Sequence, residues 1–91
     1  MSKHIDLPES DISLLKQLGM RIAYLRKESG TSQLDLSIRS GLSKSYLSDL
    51  EHGRRNPSIL ILQRVASGLG VSLEELFRGI VPLSELLKRV R

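Results

Sequence analysis

The sequence predicts an all-α fold, a compact domain of five short helices followed by an additional C-terminal amphipathic helix. Three observations carry that expectation. Apolar residues recur three and four positions apart along almost the whole chain, with no alternating pattern that would mark a strand. Nearly every such segment opens beside a serine or threonine and stops at a glycine, the ordinary start and stop chemistry of helices. The chain has 91 residues, 40% of them hydrophobic and 26% charged, which suits one soluble domain and is too apolar for disorder. With only two Tyr, one Phe and no Trp, its core must come from Leu, Ile and Val.

The expected organisation is a tail over 1–10, a helical domain over 11–79 and an amphipathic segment over 80–91. A first helix from Asp11 to Ser29 places Ile12, Leu15, Leu18, Ile22 and Leu25 on one stripe and stops at Gly30. Gly19 interrupts it at a cost of about 1 kcal/mol relative to Ala, so it is expected to let a neighbouring helix approach closely. Thr31 or Ser32 caps a short second helix, Gln33 to Ser40, which ends at Gly41. Ser43 caps a third, Lys44 to His52, with Leu47 and Leu50 inward and Gly53 as its stop. Two short helices joined through so tight a glycine-containing turn form the helix-turn-helix pattern.

The basic stretch GRRNPS is a loop, after which Ser58 caps a fourth helix from Ile59 to Leu69, with Leu62, Val65, Ala66 and Leu69 inward. Ser72 and Glu75 stand at capping-box spacing and open a short fifth helix that contains Leu76 and Phe77 and stops before Gly79. Beyond Pro82, the positions Leu83, Leu86, Leu87 and Val90 follow helical spacing. So short a helix is not stable alone and has to pack on this core or on another chain.

Charge narrows the function classes. The net charge is +4, and the stretch from Arg21 to Pro57 holds seven Lys/Arg against four Asp/Glu, while residues 1–20 hold two against three. The middle of the chain is therefore the region suited to a polyanion, although a solvated basic surface has the same composition. There is no cysteine, no apolar run of signal-peptide length at the N-terminus and no stretch of about 18 apolar residues. The expectation is a cytoplasmic protein without membrane association. His4 and His52 are too few and too isolated for a metal cluster or an acid–base pair, and no glycine-rich phosphate loop or nucleophile triad is present. No enzyme activity, metal or cofactor is expected.

The run from Leu18 to Phe77, about two thirds of the chain, resembles the phage-repressor-like (Cro/C1-type, XRE-like) helix-turn-helix regulators. The motifs that carry the resemblance are the Thr-Ser-Gln helix start, Gly41 in the turn, Leu-Ser-Asp-Leu-Glu closing the third helix, Asn-Pro-Ser, and Leu-Gly-Val-Ser before the fifth. The resemblance implies a transcriptional regulator, a repressor, that binds double-stranded DNA as a homodimer on a two-fold symmetric operator, with the third helix in the major groove. Mapped onto this chain, it makes Lys44, Ser45, Ser48 and Asp49 the base-facing set. Lys44 would donate to guanine O6 or N7 and Asp49 would accept from cytosine N4, while Ser45 and Ser48 are permissive readers.

Asp49 has a second reading, an ion pair with Lys44 or Arg54. The resemblance further implies backbone contacts from Gln33, Ser43, Tyr46, Arg54, Arg55 and Asn56. For Gln33 the alternative is a capping role, and for Tyr46 a ring leaning on the second helix. Lys27 and Arg39 read as ordinary surface charges. Arg26 and Glu51 fall on the positions of a structural ion pair between the first and third helices.

The chain departs from the family pattern at Ser37, Ser40 and Gly68, which stand where Ala is common. Leu60 and Ile61 give the fourth helix an apolar outer face. With Leu83, Leu86, Leu87 and Val90 they form a candidate surface for dimerisation or a protein partner. An antitoxin-like or adaptor module with secondary, autoregulatory DNA binding is the alternative function.

Overall fold

The computed structural model describes residues 7–80. Regular structure among them is entirely helical, with α1 (Glu9–Glu28), α2 (Gln33–Ser40), α3 (Lys44–Glu51), α4 (Ile59–Leu69) and α5 (Leu73–Leu76). Leu83, Leu86, Leu87 and Val90 lie outside the described residues. No helix among the described residues is long and apolar enough to cross a membrane.

Local chemistry sets most of the helix starts. Ser32, Ser43, Ser58 and Ser72 adopt extended backbone conformations and accept from the backbone N–H three residues on, at Asp35, Tyr46, Ile61 and Glu75. Each bond satisfies a donor that the first turn leaves open. Ser32, not Thr31, caps α2, in a reciprocal box with Asp35, while Thr31 is buried. At α5 only half of the expected box forms. Ser72 accepts from Glu75, but the Glu75 carboxylate turns to Arg21 on α1 at 3.0 Å, because a charged partner outbids its own backbone.

Helix α1 begins two residues before Asp11, directly after Pro8, and has no side-chain cap. Glu9 and Asp11 in its first turn face the positive end of the helix dipole, which favours the extension. Helix α3 ends at Glu51 with His52 as its cap, one residue earlier than expected. Phe77 caps the end of α5 from outside the helix and is exposed.

Helix α1 packs on α3 and α5, α2 on α3 and α4, and α4 on α5. They enclose one core of Leu18, Ile22, Leu36, Leu47, Leu50, Leu62, Val65, Ala66, Leu76 and Ile80, with Leu25 and Leu69 at its margin. Ile12, expected on the buried stripe, is 37% exposed. The reason is length: among the described residues a helix of 20 outruns its partners of eight and four, so its first turns have less to pack on.

Two glycines permit the close approaches. A Cβ on Gly19 would stand 2.5 Å from the carbonyl oxygens of both Leu50 and Glu51, so α1 crosses the end of α3 backbone against backbone. A Cβ on Gly68 would meet the Leu36 Cδ1 at 2.8 Å, between α4 and α2. The two serines that replace Ala have a use in the turn. Ser37 donates to the Leu42 carbonyl at 2.6 Å and Ser40 accepts from the Leu42 N–H at 3.3 Å, which holds the α2–α3 connection from both sides.

The two glycines should respond differently to a methyl group. Gly19→Ala presses on backbone that cannot give, and is expected to cost about 1–3 kcal/mol, or about 4–8 °C of melting temperature per kcal/mol. Gly68→Ala presses only on the end of the Leu36 side chain, with the Arg39 and Ser40 Cβ atoms at ordinary contact distance, 3.5 Å, and gains helix propensity of about 1 kcal/mol, so its melting temperature should stay near wild type. Thermal unfolding of the two variants followed by circular dichroism checks the contrast; equal melting temperatures would contradict it.

Candidate nucleic-acid interface

The turn between α2 and α3 is short because Gly41 adopts φ 76°, a left-handed conformation that an ordinary side chain resists. Leu42 then packs against the core, and Ser43 starts α3. Helix α3 buries Leu47 and Leu50 completely. Its opposite face carries Lys44, Ser45, Ser48 and Asp49, two adjacent pairs one helical turn apart. These four residues and Gln33 at the start of α2 line one open depression. Lys44 and Ser45 are exposed, while Gln33, Ser48 and Asp49 are half-buried. The depression therefore presents a cation, two hydroxyls, an amide and a carboxylate on a rigid wall, a mixed set of donors and acceptors such as base edges require.

Behind that wall lies a buried ionic cluster. Arg26 donates from Nε to Glu51 Oε2 at 2.6 Å and from Nη2 to Glu51 Oε1 at 3.0 Å, and its Nη1 donates to the Thr31 carbonyl at 3.0 Å. The two side chains are 11% and 5% exposed. The hydrogen bond to Glu51 raises the Arg26 pKa above its usual value, burial opposes it, and the Glu51 charge adds to the rise. Gln33 Nε2 donates to the same Glu51 Oε1 at 3.0 Å, so α1, α2 and α3 are tied through one carboxylate. Gln33 thus has a tertiary partner rather than a capping bond, and one amide hydrogen is left for an anion.

The loop after α3 is held more loosely. Asp49 pairs with Arg54 through Oδ1 at 3.3 Å and with Arg55 through Oδ2 at 3.4 Å, both on exposed guanidiniums. The pairing with Arg55 was not foreseen in the sequence, and Lys44, the other named candidate, is not the partner. Arg55 also lies over the Tyr46 ring, 5.1 Å from its centroid. Tyr46 leans on the core, and desolvation raises its pKa above 10.0, with the Arg55 charge acting the other way. Ser43 accepts from the Tyr46 N–H, which leaves its own O–H able to donate, and Asn56 is exposed.

One charged contact had no signal in the sequence. Arg21 donates from Nη2 to the Glu75 carbonyl at 2.8 Å and to its carboxylate at 3.0 Å, across 54 positions of chain. No local spacing marks such a pair. It joins α1 to α5. No group of three or more His, Cys, Asp or Glu among the described residues is placed to hold a metal ion.

A family model described as helix-turn-helix, HTH_3, matches residues 22–76. The chain belongs to this family of DNA-binding transcriptional regulators. The family is repressor-like and non-enzymatic. The regulator is 46% identical over 65 residues to an uncharacterised HTH-type transcriptional regulator, y4dJ, of Sinorhizobium fredii, which covers 71% of this chain and 84% of that protein. It is 43% identical over 56 residues to the immunity repressor protein of Bacillus phage phi105, or 62% of this chain and 39% of that longer protein. Among solved structures it resembles the restriction-modification controller protein C.Esp1396I, a tetramer in complex with its natural 35 base-pair operator. The TM-score is 0.69 and the identity 34%, over 81% of this chain and 95% of that one.

Glu51→Ala should unfold the regulator before it disturbs any single contact. It strands the Arg26 guanidinium in a buried site, at a cost of about 3–5 kcal/mol; an unchanged thermal melt would rule this out. Tyr46 gives a test in alkali. In a Tyr24→Phe variant the phenolate absorbance comes from Tyr46 alone, and its midpoint should lie above 10.0. Because the folded pKa is the higher one, the contribution is whole below the unfolded value and is lost as pH rises through the folded value, so stability should fall there.

Proposed function

We propose that the regulator acts as a homodimeric repressor on a two-fold symmetric operator, with α3 of each subunit in a major groove. The observation that carries this reading is the depression of Gln33, Lys44, Ser45, Ser48 and Asp49, which presents mixed hydrogen-bonding groups on the exposed face of a helix whose other face is locked into the core. In this reading Lys44 donates to guanine O6 or N7, Asp49 accepts from cytosine N4, and Ser45 and Ser48 bond either kind of group. Gln33, Ser43, Tyr46, Arg54, Arg55 and Asn56 surround that face and contact sugar and phosphate, which sets the register.

Two observations support a dimer. A single small module buries only about 600–1,000 Å² on DNA, at the low end of specific interfaces. Among the described residues there is also apolar surface left exposed, with Leu60 on α4 72% exposed and Ile61 half-buried. Leu83, Leu86, Leu87 and Val90 supply a matching apolar stripe in sequence. The operator-bound tetramer of C.Esp1396I is a precedent for assembly in a similar protein.

Selection of duplexes from a random pool, at two salt concentrations, tests the reading. The expected product is a pair of inverted half-sites about one helical turn apart, enriched at both salts. Lys44→Ala should then lose about 1–3 kcal/mol of discrimination at one base pair per half-site, measured by competition binding. Binding that is salt-sensitive and blind to sequence would refute the operator reading and turn attention to the Leu60 face as a site for a protein partner. Sedimentation that shows only monomer at high concentration, with and without DNA, would refute the dimer.

A further inference from the structure

We propose that Asp49 is a latch on Arg54 and Arg55, which keeps both guanidiniums off the DNA backbone until a base edge engages its carboxylate. Contact with the phosphates is thereby made conditional on sequence. The inference rests on the reading of α3 as the helix in the major groove. Arg54 and Arg55 are the basic residues of the loop that leaves that helix, and both, though exposed, are paired with Asp49. Arg54 bonds Oδ1 of Asp49 at 3.3 Å, and Arg55 bonds Oδ2 at 3.4 Å, so each carboxylate oxygen holds one arginine.

The backbone is bent to allow this. Gly53 adopts φ 74°, and the Arg54 N–H donates to the Asp49 carbonyl at 2.8 Å, which turns the loop back over the end of α3. Arg55 also rests on the Tyr46 ring at 5.1 Å, on the helix turn before Asp49. The carboxylate thus stands in for phosphate in the free protein.

Electrostatics makes the latch depend on sequence. An unpaired carboxylate beside a phosphate backbone is repelled, so on a duplex with no donor opposite it Asp49 is best neutralised by the arginines it already holds. Where a cytosine or adenine amino group faces it, the carboxylate gains a base donor, and its hold on the arginines weakens. The ion pairs are long and solvent-exposed, the weak kind that opens readily. The released guanidiniums are then beside the backbone and take two phosphates.

The experiment uses the full chain as wild type, D49N, R54Q/R55Q and the triple variant, with thermal melts to show that all are folded. The probes are the duplex recovered from the random-pool selection and the same duplex changed at the base pair where D49N loses its preference. Affinity is measured over a series of salt concentrations. On the recovered duplex, R54Q/R55Q should reduce the slope of log K against log salt by about 2, at roughly 0.9 per phosphate contact. On the changed duplex it should leave the slope as in wild type, and in the D49N background it should reduce both slopes equally. An equal reduction on both duplexes with Asp49 present overturns the latch. So does a D49N variant that keeps every base preference. A selection that recovers no preferred duplex overturns the operator reading itself, and the latch with it, before any arginine variant is made.

Discussion

The placement of α3 depends on how closely α1 can pass behind it. Gly19 removes the side chain at the crossing, and the backbone of α1 comes against the carbonyls of Leu50 and Glu51, at the C-terminal end of α3. The same place receives the Arg26–Glu51 pair, so the steric and the ionic constraint act on one residue. A helix of eight residues has too little propensity of its own to keep a fixed direction. Its axis is set instead by what holds its ends: the Ser43 cap and the Leu42 turn at one end, Gly19 and Arg26 at the other.

From that anchoring follows a gradient of rigidity across the interface. Glu51 is buried and shared by Arg26 and Gln33, which spans three helices. Breaking such a cluster leaves uncompensated charge in the interior, which costs far more than opening a surface pair. Two residues earlier, Asp49 holds Arg54 and Arg55 at the surface, where ion pairs are worth about 0–1 kcal/mol. The readers on α3 therefore sit on a well-anchored wall, and the arginines beside them are tied only by weak surface contacts to one of those readers, Asp49. Rigid elements for base contact and an adjustable basic loop for the backbone are what the two kinds of contact require.

How much of this was legible depends on the range of each interaction. The serine caps, the glycine stops and the inward Leu47 and Leu50 were readable because they involve neighbours within a turn or two. Gly19 was readable as a place where something must approach, but not what. The Arg26–Glu51 pair was suggested only by a family resemblance. The half-formed box at Ser72 was not legible because a local rule lost to a distant partner, Arg21, and the exposure of Ile12 because packing depends on elements far along the chain; the early start of α1 rests on Glu9 and Asp11 at the helix dipole, where no serine cap marks it.

Among the described residues, the sequence alone determined the five helices, most of their serine caps, the tight turn and the face of α3 that carries Lys44, Ser45, Ser48 and Asp49. All of these rest on periodicity and on backbone chemistry a few residues long. Only the tertiary structure decided that Gln33 is held by Glu51, that Asp49 is held by Arg54 and Arg55, and that Arg21 joins α1 to α5. A charged side chain can reach many partners that lie at unrelated positions in the chain, and which of them it meets is settled when the helices pack.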